Sequence, residues 1–324
     1  MRHHMFPASP MFPQTAYHIK LLEFYKELFM TGHLANQAFA KACAKLHMYE
    51  NVERLRITFA NAFFAYLEVL TKAEELSVAE HQHTIQAYND DACPACPKDG
   101  MIIALDGNFQ LRRRMANSDD CKLHESATFF SADAKHSTYA KANDASSKDH
   151  KCDSKFRNAD ESYVSRAIRQ CYESGVLGCV CRHNLPLEFT NIVQSGEKHK
   201  YPLSVIDVLM KKHGTKVLKI MYDIGCHFEP AIKENFPDWV GNVAVGVFHA
   251  YAHSMDCQVQ YNPRLIEGFG LTDGEGMERL WSYLSGFATI TRNMCAKRRM
   301  LTLIQAIQHF KNEHLQSLRK CKNF

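Results

Sequence analysis

Apolar residues recur at steps of three and four through the first quarter of the chain: Leu21, Phe24, Tyr25, Leu28 and Phe29, then Phe59, Phe63, Leu67 and Leu70. That spacing lines one face of a helix. Asn51 stands where a side-chain cap would open the second long helix. Residues 16–88 therefore read as a helical module behind an irregular, proline-bearing arm at residues 1–15. The texture changes at Cys93-Pro94-Ala95-Cys96-Pro97. Met101–Leu105 is a short apolar run closed by Asp106-Gly107, which its length and bounding turn residues assign to a buried strand. Residues 131–161 are poor in large apolar side chains and rich in Lys, Asp, Ser and Asn, the composition of a long polar surface insertion.

Beyond the insertion, strand and helix patterns alternate. Val176–Cys181 reads as a strand and Tyr201–His213 as a helix. Val217–Tyr222 is a strand ending at Asp223, Pro230–Phe236 a short helix and Val243–Phe248 another strand. A helix opens near Gly274, and a later one is striped by Met300, Leu303, Ile304, Ile307 and Phe310. Such alternation predicts an α/β domain with some parallel pairing. The expected organisation is an arm and helical module over residues 1–90 and an α/β core over 91–324. On the helix from Gly274, Met277, Leu280, Trp281, Leu284, Phe287 and Ala288 form the apolar face. Glu275, Glu278, Ser282 and Ser285 fall on another. Both glutamates are thus displayed together, and Trp281 is expected in the core.

A chain of 324 residues, 46% hydrophobic and 23% charged, can bury a core and is no disordered polymer. No run of about 18 apolar residues could cross a membrane, and the amino terminus lacks the apolar core of a secretion signal. The net charge of +4 leaves any phosphate contact to local patches. These are Arg112-Arg113-Arg114, directly after the Asp106 strand, and Lys297-Arg298-Arg299; a solvated charged face is the plain alternative for each.

Twelve cysteines and eighteen histidines in a chain without a secretion signal point to metal ligation, with buried free thiols as the alternative. Cys93-x-x-Cys96 is half of a zinc site, and Cys152, Cys179, Cys181 and His183 are candidates to complete it. His249, His253 and Cys257 are spaced i, i+4, i+8, so one helix would put all three on one face, with Cys226 or His227 as a fourth ligand. Internally hydrogen-bonded histidines are the alternative. The acids at element ends form a third set. Asp106 and Asp223 each end a buried strand, and Glu275 and Glu278 lie on a late helix. Clustered carboxylates suit hard divalent cations, and strand ends are where open α/β sheets build sites. Taken singly, each also reads as a turn residue, a cap or a solvated face.

The run Ala104–Arg112 resembles the first catalytic motif of the Kyakuja–Dileera–Zisupton (KDZ) transposases. Cys181–His183, Tyr201–Leu203, Tyr222–Cys226, Phe248–His253 with Cys257-Gln258, and Glu267–Ser282 resemble further segments of that family in its order, so the likeness spans residues 85–315. It implies an RNase H-like mixed-sheet core with flanking helices and a DDE transposase activity, meaning divalent-metal-dependent DNA cleavage and strand transfer. It matches Asp106 to the first Asp and Asp223 to the second. Glu278 is preferred as the glutamate because Glu278-Arg279-Leu280-Trp281-Ser282 is similar to a signature of the related hAT transposases; Glu275 is its rival. Mg2+ or Mn2+ in a two-metal site, DNA (transposon ends and target) as partner, a homo-oligomer when active, and a nuclear location follow as expectations. The Arg112–Arg114 and Lys297–Arg299 clusters would then bind DNA, and His249 or His253 could line the site. Family members are typically longer, so the chain reads as a truncated copy. Its alternative is a catalytically silent, transposase-derived DNA- or chromatin-binding protein.

Overall fold

A computed structural model of the protein describes residues 4–9, 11–84, 93–97, 99–115, 129–130, 139, 152, 170–214 and 217–321. The insertion expected at 131–161 lies outside them apart from Tyr139 and Cys152. The chain divides into two units: residues 1–88, 116–128 and 289–309 form one, and residues 89–115, 129–288 and 310–324 the other.

In the first unit the proline-bearing arm is not irregular throughout. β1 (Met5–Pro7) pairs antiparallel with β2 (Ala16–His18). Then come α1 (Ile19–Gly32), α2 (Asn36–Leu46) and α3 (Val52–Thr84). Asn51 caps α3 as expected, its Oδ1 accepting from the Arg54 N–H at 2.9 Å. Tyr25, Phe29, Phe39, Phe59 and Phe63 form an aromatic core, with Tyr25 and Phe63 edge-to-face at 4.6 Å between centroids. Leu21 and Phe24, expected on the apolar stripe, are exposed instead. The buried face of α1 runs through Leu22, Tyr25, Phe29 and Met30, a phase rotated by one residue.

The second unit is built on a mixed sheet. Its strands are β3 (Met101–Asn108), β4 (Arg113–Arg114), β5 (Cys171–Cys181), β6 (Pro186–Val193), β7 (Leu218–Tyr222) and β8 (Val243–Ala244). β5 pairs antiparallel with β6 on one edge and with β3 and β4 on the other; β3, β7 and β8 run parallel. β3 lies between two partners, so Met101–Leu105 are buried on both faces and show no alternation. Strand β6, buried on both faces as well, escaped notice because the buried polar residues Glu188, Thr190 and Asn191 leave it neither an apolar run nor an alternation. α4 (Lys200–His213) links β6 to β7, and α5 (Gly225–Asn235) links β7 to β8. α5 opens five residues before Pro230, where the proline had suggested a start. The expected strand to Phe248 stops at Ala244.

After β8 the chain makes a 3-10 turn (His249–Ala252), α6 (Met255–Gln260), α7 (Gly276–Ser285), α8 (Ala288–Thr291) and α9 (Ala296–Cys321). The apolar face of α7 packs on β3 and β5. Gly178 permits that approach: a Cβ there would sit 2.4 Å from Phe189 Cε1 and 2.8 Å from Met277 Cε. Trp281 is buried, as its position on that face predicted.

Candidate functional site

Asp106 and Asp223 are brought together by strand register. β3 and β7 are parallel neighbours, spaced about 4.8 Å apart as paired strands are, with Leu105 opposite Tyr222, so Asp106, within β3, and Asp223, the first residue past β7, follow that last pair side by side. α7 adds Glu278 in its first turn, with Glu275 immediately before the helix. His249 joins these acids. Its Nδ1 is 3.1 Å from Asp223 Oδ2, and its Nε2 is 3.5 Å from Glu278 Oε1 and 3.7 Å from Glu275 Oε2. All these groups belong to the second unit.

The two glutamates differ in their ties. Glu275 Oε1 accepts from the Phe248 backbone N–H at 3.2 Å, which fastens it to the turn carrying His249. Its side chain is 21% exposed against 52% for Glu278. Asp106 has its own support: Trp281 Nε1–H donates to its Oδ2 at 2.7 Å.

A fifth carboxylate was not anticipated. The Tyr222 hydroxyl donates to Glu197 Oε1 at 2.5 Å, and a Cβ on Gly107 would lie 2.5 Å from Glu197 Oε2. Glu197 thus occupies the space that the missing side chain of Gly107 leaves beside Asp106. It sits in the polar stretch between β6 and α4, where no periodic or motif signal marks it.

The electrostatics follow from crowding. Burial, then the charges of Glu197, Asp223 and Glu278, raise the Asp106 carboxyl well above its ordinary value. Burial pushes Asp223 up to about 6; Glu278 and Glu275 add to the rise and His249 opposes it. Burial pushes Glu197 up to about 7. Carboxylates held this close favour a cation among them. The donor set, all oxygen with one imidazole, fits Mg2+ or Mn2+.

Among the described residues, eight cysteines and histidines form two tetrads, each able to hold a metal such as zinc. The first is Cys93, Cys96, Cys181 and His183; the second is Cys152, Cys226, His253 and Cys257. In each, the four donor atoms lie within 4.8 Å of one another. The first joins the loop before β3 to the turn between β5 and β6. Two expectations are corrected here. Cys152 belongs to the second tetrad, not the first. His249 leaves the His/Cys set for the acids, because no single helix spans 249–257: the 3-10 turn ends, His253 is extended (φ −93°, ψ 162°), and Ser254 caps α6. His253 and Cys257 therefore share a site while His249 faces away from it. Neither Cys179 nor His227 is in a tetrad; burial holds the Cys179 thiol well above its ordinary pKa.

The basic clusters are also sorted by burial. Arg113 is 2% exposed and forms a buried ion pair with Glu173, Nε to Oε2 at 2.5 Å. Arg299 is 1% exposed. Burial removes both from the expected phosphate-facing set. Arg114 is exposed, and Arg112 and Lys297 are half-buried. In the first unit the Arg298 guanidinium donates to Asn61 Oδ1 at 2.9 Å and stands 5.0 Å over the Phe64 ring.

A family model described as Kyakuja-Dileera-Zisupton transposase matches residues 99–311. The matched stretch contains all the acids described above, His249 and the whole second tetrad; Cys93 and Cys96 precede it. No curated protein and no solved structure matches the chain.

Proposed function

This chain belongs to the Kyakuja–Dileera–Zisupton transposase family, and from that premise we propose that its second unit is an RNase H-like DDE core that cuts and joins DNA. The adjacency of Asp106, near the carboxyl end of β3, and Asp223, just past the carboxyl end of its parallel neighbour β7, carries the reading. The sheet supports it as well: three antiparallel strands, then two parallel crossovers through α4 and α5, with the acids on the central strand and its parallel neighbour.

Asp106, Asp223 and Glu278 would hold Mg2+ or Mn2+. Glu278 is chosen over Glu275 because its charge bears on both aspartates, whereas that of Glu275 bears on Asp223. Glu275 is also held by the Phe248 N–H. Two such ions, when bound, supply Lewis acidity at both the attacking and the leaving oxygen of a phosphodiester.

The remaining chemistry is positional. Trp281 donates to one oxygen of Asp106, and the Gly107 backbone N–H also bonds that carboxylate, so its orientation is fixed. His249 orients Asp223 and bridges it to Glu278. Arg114, exposed just beyond the Asp106 strand, would meet a DNA phosphate, with the half-buried Arg112 two residues before it. Transposon ends and target DNA are the proposed substrates, with assembly as a homo-oligomer and action in the nucleus.

The test is a nicking assay on supercoiled DNA with Mn2+ and the whole chain. Cleavage that disappears in both Asp106→Asn and Asp223→Asn, with strand-transfer products in the wild type, is the expected result. DNA binding without any metal-dependent cleavage would overturn the catalytic reading and leave a silent DNA-binding derivative.

A further inference from the structure

The two Cys/His tetrads have a geometry that the acids lack. In the first, His183 Nδ1 lies 3.4 Å from Cys93 Sγ and 3.3 Å from Cys96 Sγ. In the second, His253 Nδ1 lies 3.3, 3.5 and 3.4 Å from the sulfurs of Cys152, Cys226 and Cys257. A tetrahedral zinc ion with bonds of about 2.3 Å to sulfur and about 2.05 Å to nitrogen makes each S–N edge about 3.5 Å. All five distances match that edge. Each set has four protein donors, three of them sulfur and none an oxygen, a closed composition that selects zinc over magnesium and leaves no position for substrate. The second tetrad is buried at every member.

The second tetrad also flanks the acidic centre along the chain. Cys226 follows Asp223 by three residues, at the head of α5. His253 follows His249 by four, beyond the 3-10 turn. An ion bound to both side chains would clamp the two segments from which Asp223 and His249 meet at 3.1 Å. Tyr261, at the end of α6, ties the same corner together: its hydroxyl donates to Glu229 on α5 at 2.7 Å, and its carbonyl accepts from the Val245 N–H at 2.9 Å. The first tetrad takes no ligand from the segments that carry Asp223 and His249. Cys181 pairs with Ile103, three positions before Asp106 on β3.

We propose that the protein carries two structural zinc ions, one in each tetrad, and that the ion in the second is a brace holding Asp223 and His249 in register. The zinc count stands on the tetrads alone; the brace rests on the reading of the acids as a divalent-ion site.

The experiment uses the full chain, purified reduced with zinc supplied. Metal analysis is expected to give two zinc ions per chain, and Co2+ exchange to give the d–d bands of tetrahedral thiolate sites. Cys257→Ser is expected to retain one zinc, and its affinity for Mn2+, read by electron paramagnetic resonance, to fall about tenfold or more. Cys257→His, which keeps four donors, should restore both. Cys93→Ser should lose the other zinc and keep wild-type Mn2+ affinity. If Cys257→Ser loses its far-UV helix signal, Cys152→Ser takes its place, since Cys152 lies far in sequence from every acid. Fewer than two zinc ions in the wild type, or disulfides in their place, overturns the zinc sites. Equal Mn2+ affinity in the wild type and in a folded variant lacking the second zinc overturns the brace, as does equal loss in both tetrad variants. A wild type that holds two zinc ions but no Mn2+ defeats the DDE reading, and the brace with it, while the zinc sites stand.

Discussion

The acidic centre and the second Cys/His tetrad draw on the same two stretches of chain, residues 223–226 and 249–253, yet they are opposite kinds of site. Asp223 and His249 go to the acids, Cys226 and His253 to the thiols. The acids are hard donors left partly open, with Asp223 29% and Glu278 52% exposed. The thiols are soft donors, buried and closed. Burial, with like charges beside it, makes Asp106, Asp223 and Glu197 hold their protons more tightly than free carboxyls do, which suits a reversible ion and an incoming phosphate. The tetrad is already at the edge lengths of a filled coordination sphere, which suits an ion that never leaves. The lesson is that neighbours in sequence can serve exchange and permanence when a break in the backbone, here at His253, turns them apart.

The widest separation between the two sites should come from neutralising an acid. Asp106→Asn or Asp223→Asn is expected to lower DNA cleavage by about 10³-fold, about 4 kcal/mol of transition-state stabilisation. Both zinc ions should stay in place and melting should be unchanged or higher, because a repelling charge is gone. A variant that loses zinc or melts early would erase the distinction. Trp281→Phe keeps the ring in the core and removes the N–H that Asp106 accepts. About 1.5–3 kcal/mol attaches to a hydrogen bond with a charged group, so cleavage should fall about 10- to 100-fold, with the zinc count again unmoved.

Glu197→Gln sharpens the membership of the acidic centre. It preserves an acceptor for the Tyr222 hydroxyl and removes a charge beside Asp106. Mn2+ affinity should fall about tenfold, while thermal stability without Mn2+ should rise slightly. The smallest effect is in pH. Asp223 and Glu197 titrate near 6 and 7 in the fold against ordinary values of 3.8 and 4.5. Raised acids add stability that is fully present below about pH 4 and lost as pH rises through about 7. Without Mn2+, the wild type should therefore lose on the order of 1 kcal/mol more between pH 5 and 7.5 than Asp223→Asn does, as followed by thermal melts. Mn2+ affinity should run the other way, weakening as pH falls below about 6, because bound protons must leave.

Much of this was legible from neighbouring residues. The stripe through Phe59, Phe63 and Leu67, the Asn51 cap and the buried run Met101–Leu105 each depend on local spacing and local backbone geometry, and each appears where it was expected; the strand does not close at Asp106-Gly107 but continues through them to Asn108. Pattern failed where polar residues are buried within a strand, as Glu188, Thr190 and Asn191 are in β6, and where one residue of phase decides a face, as in α1. Charge clusters were the least informative: nothing in Arg112-Arg113-Arg114 tells that the middle guanidinium turns inward to Glu173.

The chain order of strands, helices and reactive side chains was set by the residues themselves, because propensity and hydrophobic period act over a few positions. Which reactive side chains meet was decided only by folding. Asp106 reaches Asp223 through the β3–β7 register, Glu197 enters the centre through the gap at Gly107, and Cys152 crosses to His253 from about a hundred residues away. These encounters are long-range, and their partners are chosen by strand pairing and backbone turns, which no local pattern of side chains encodes.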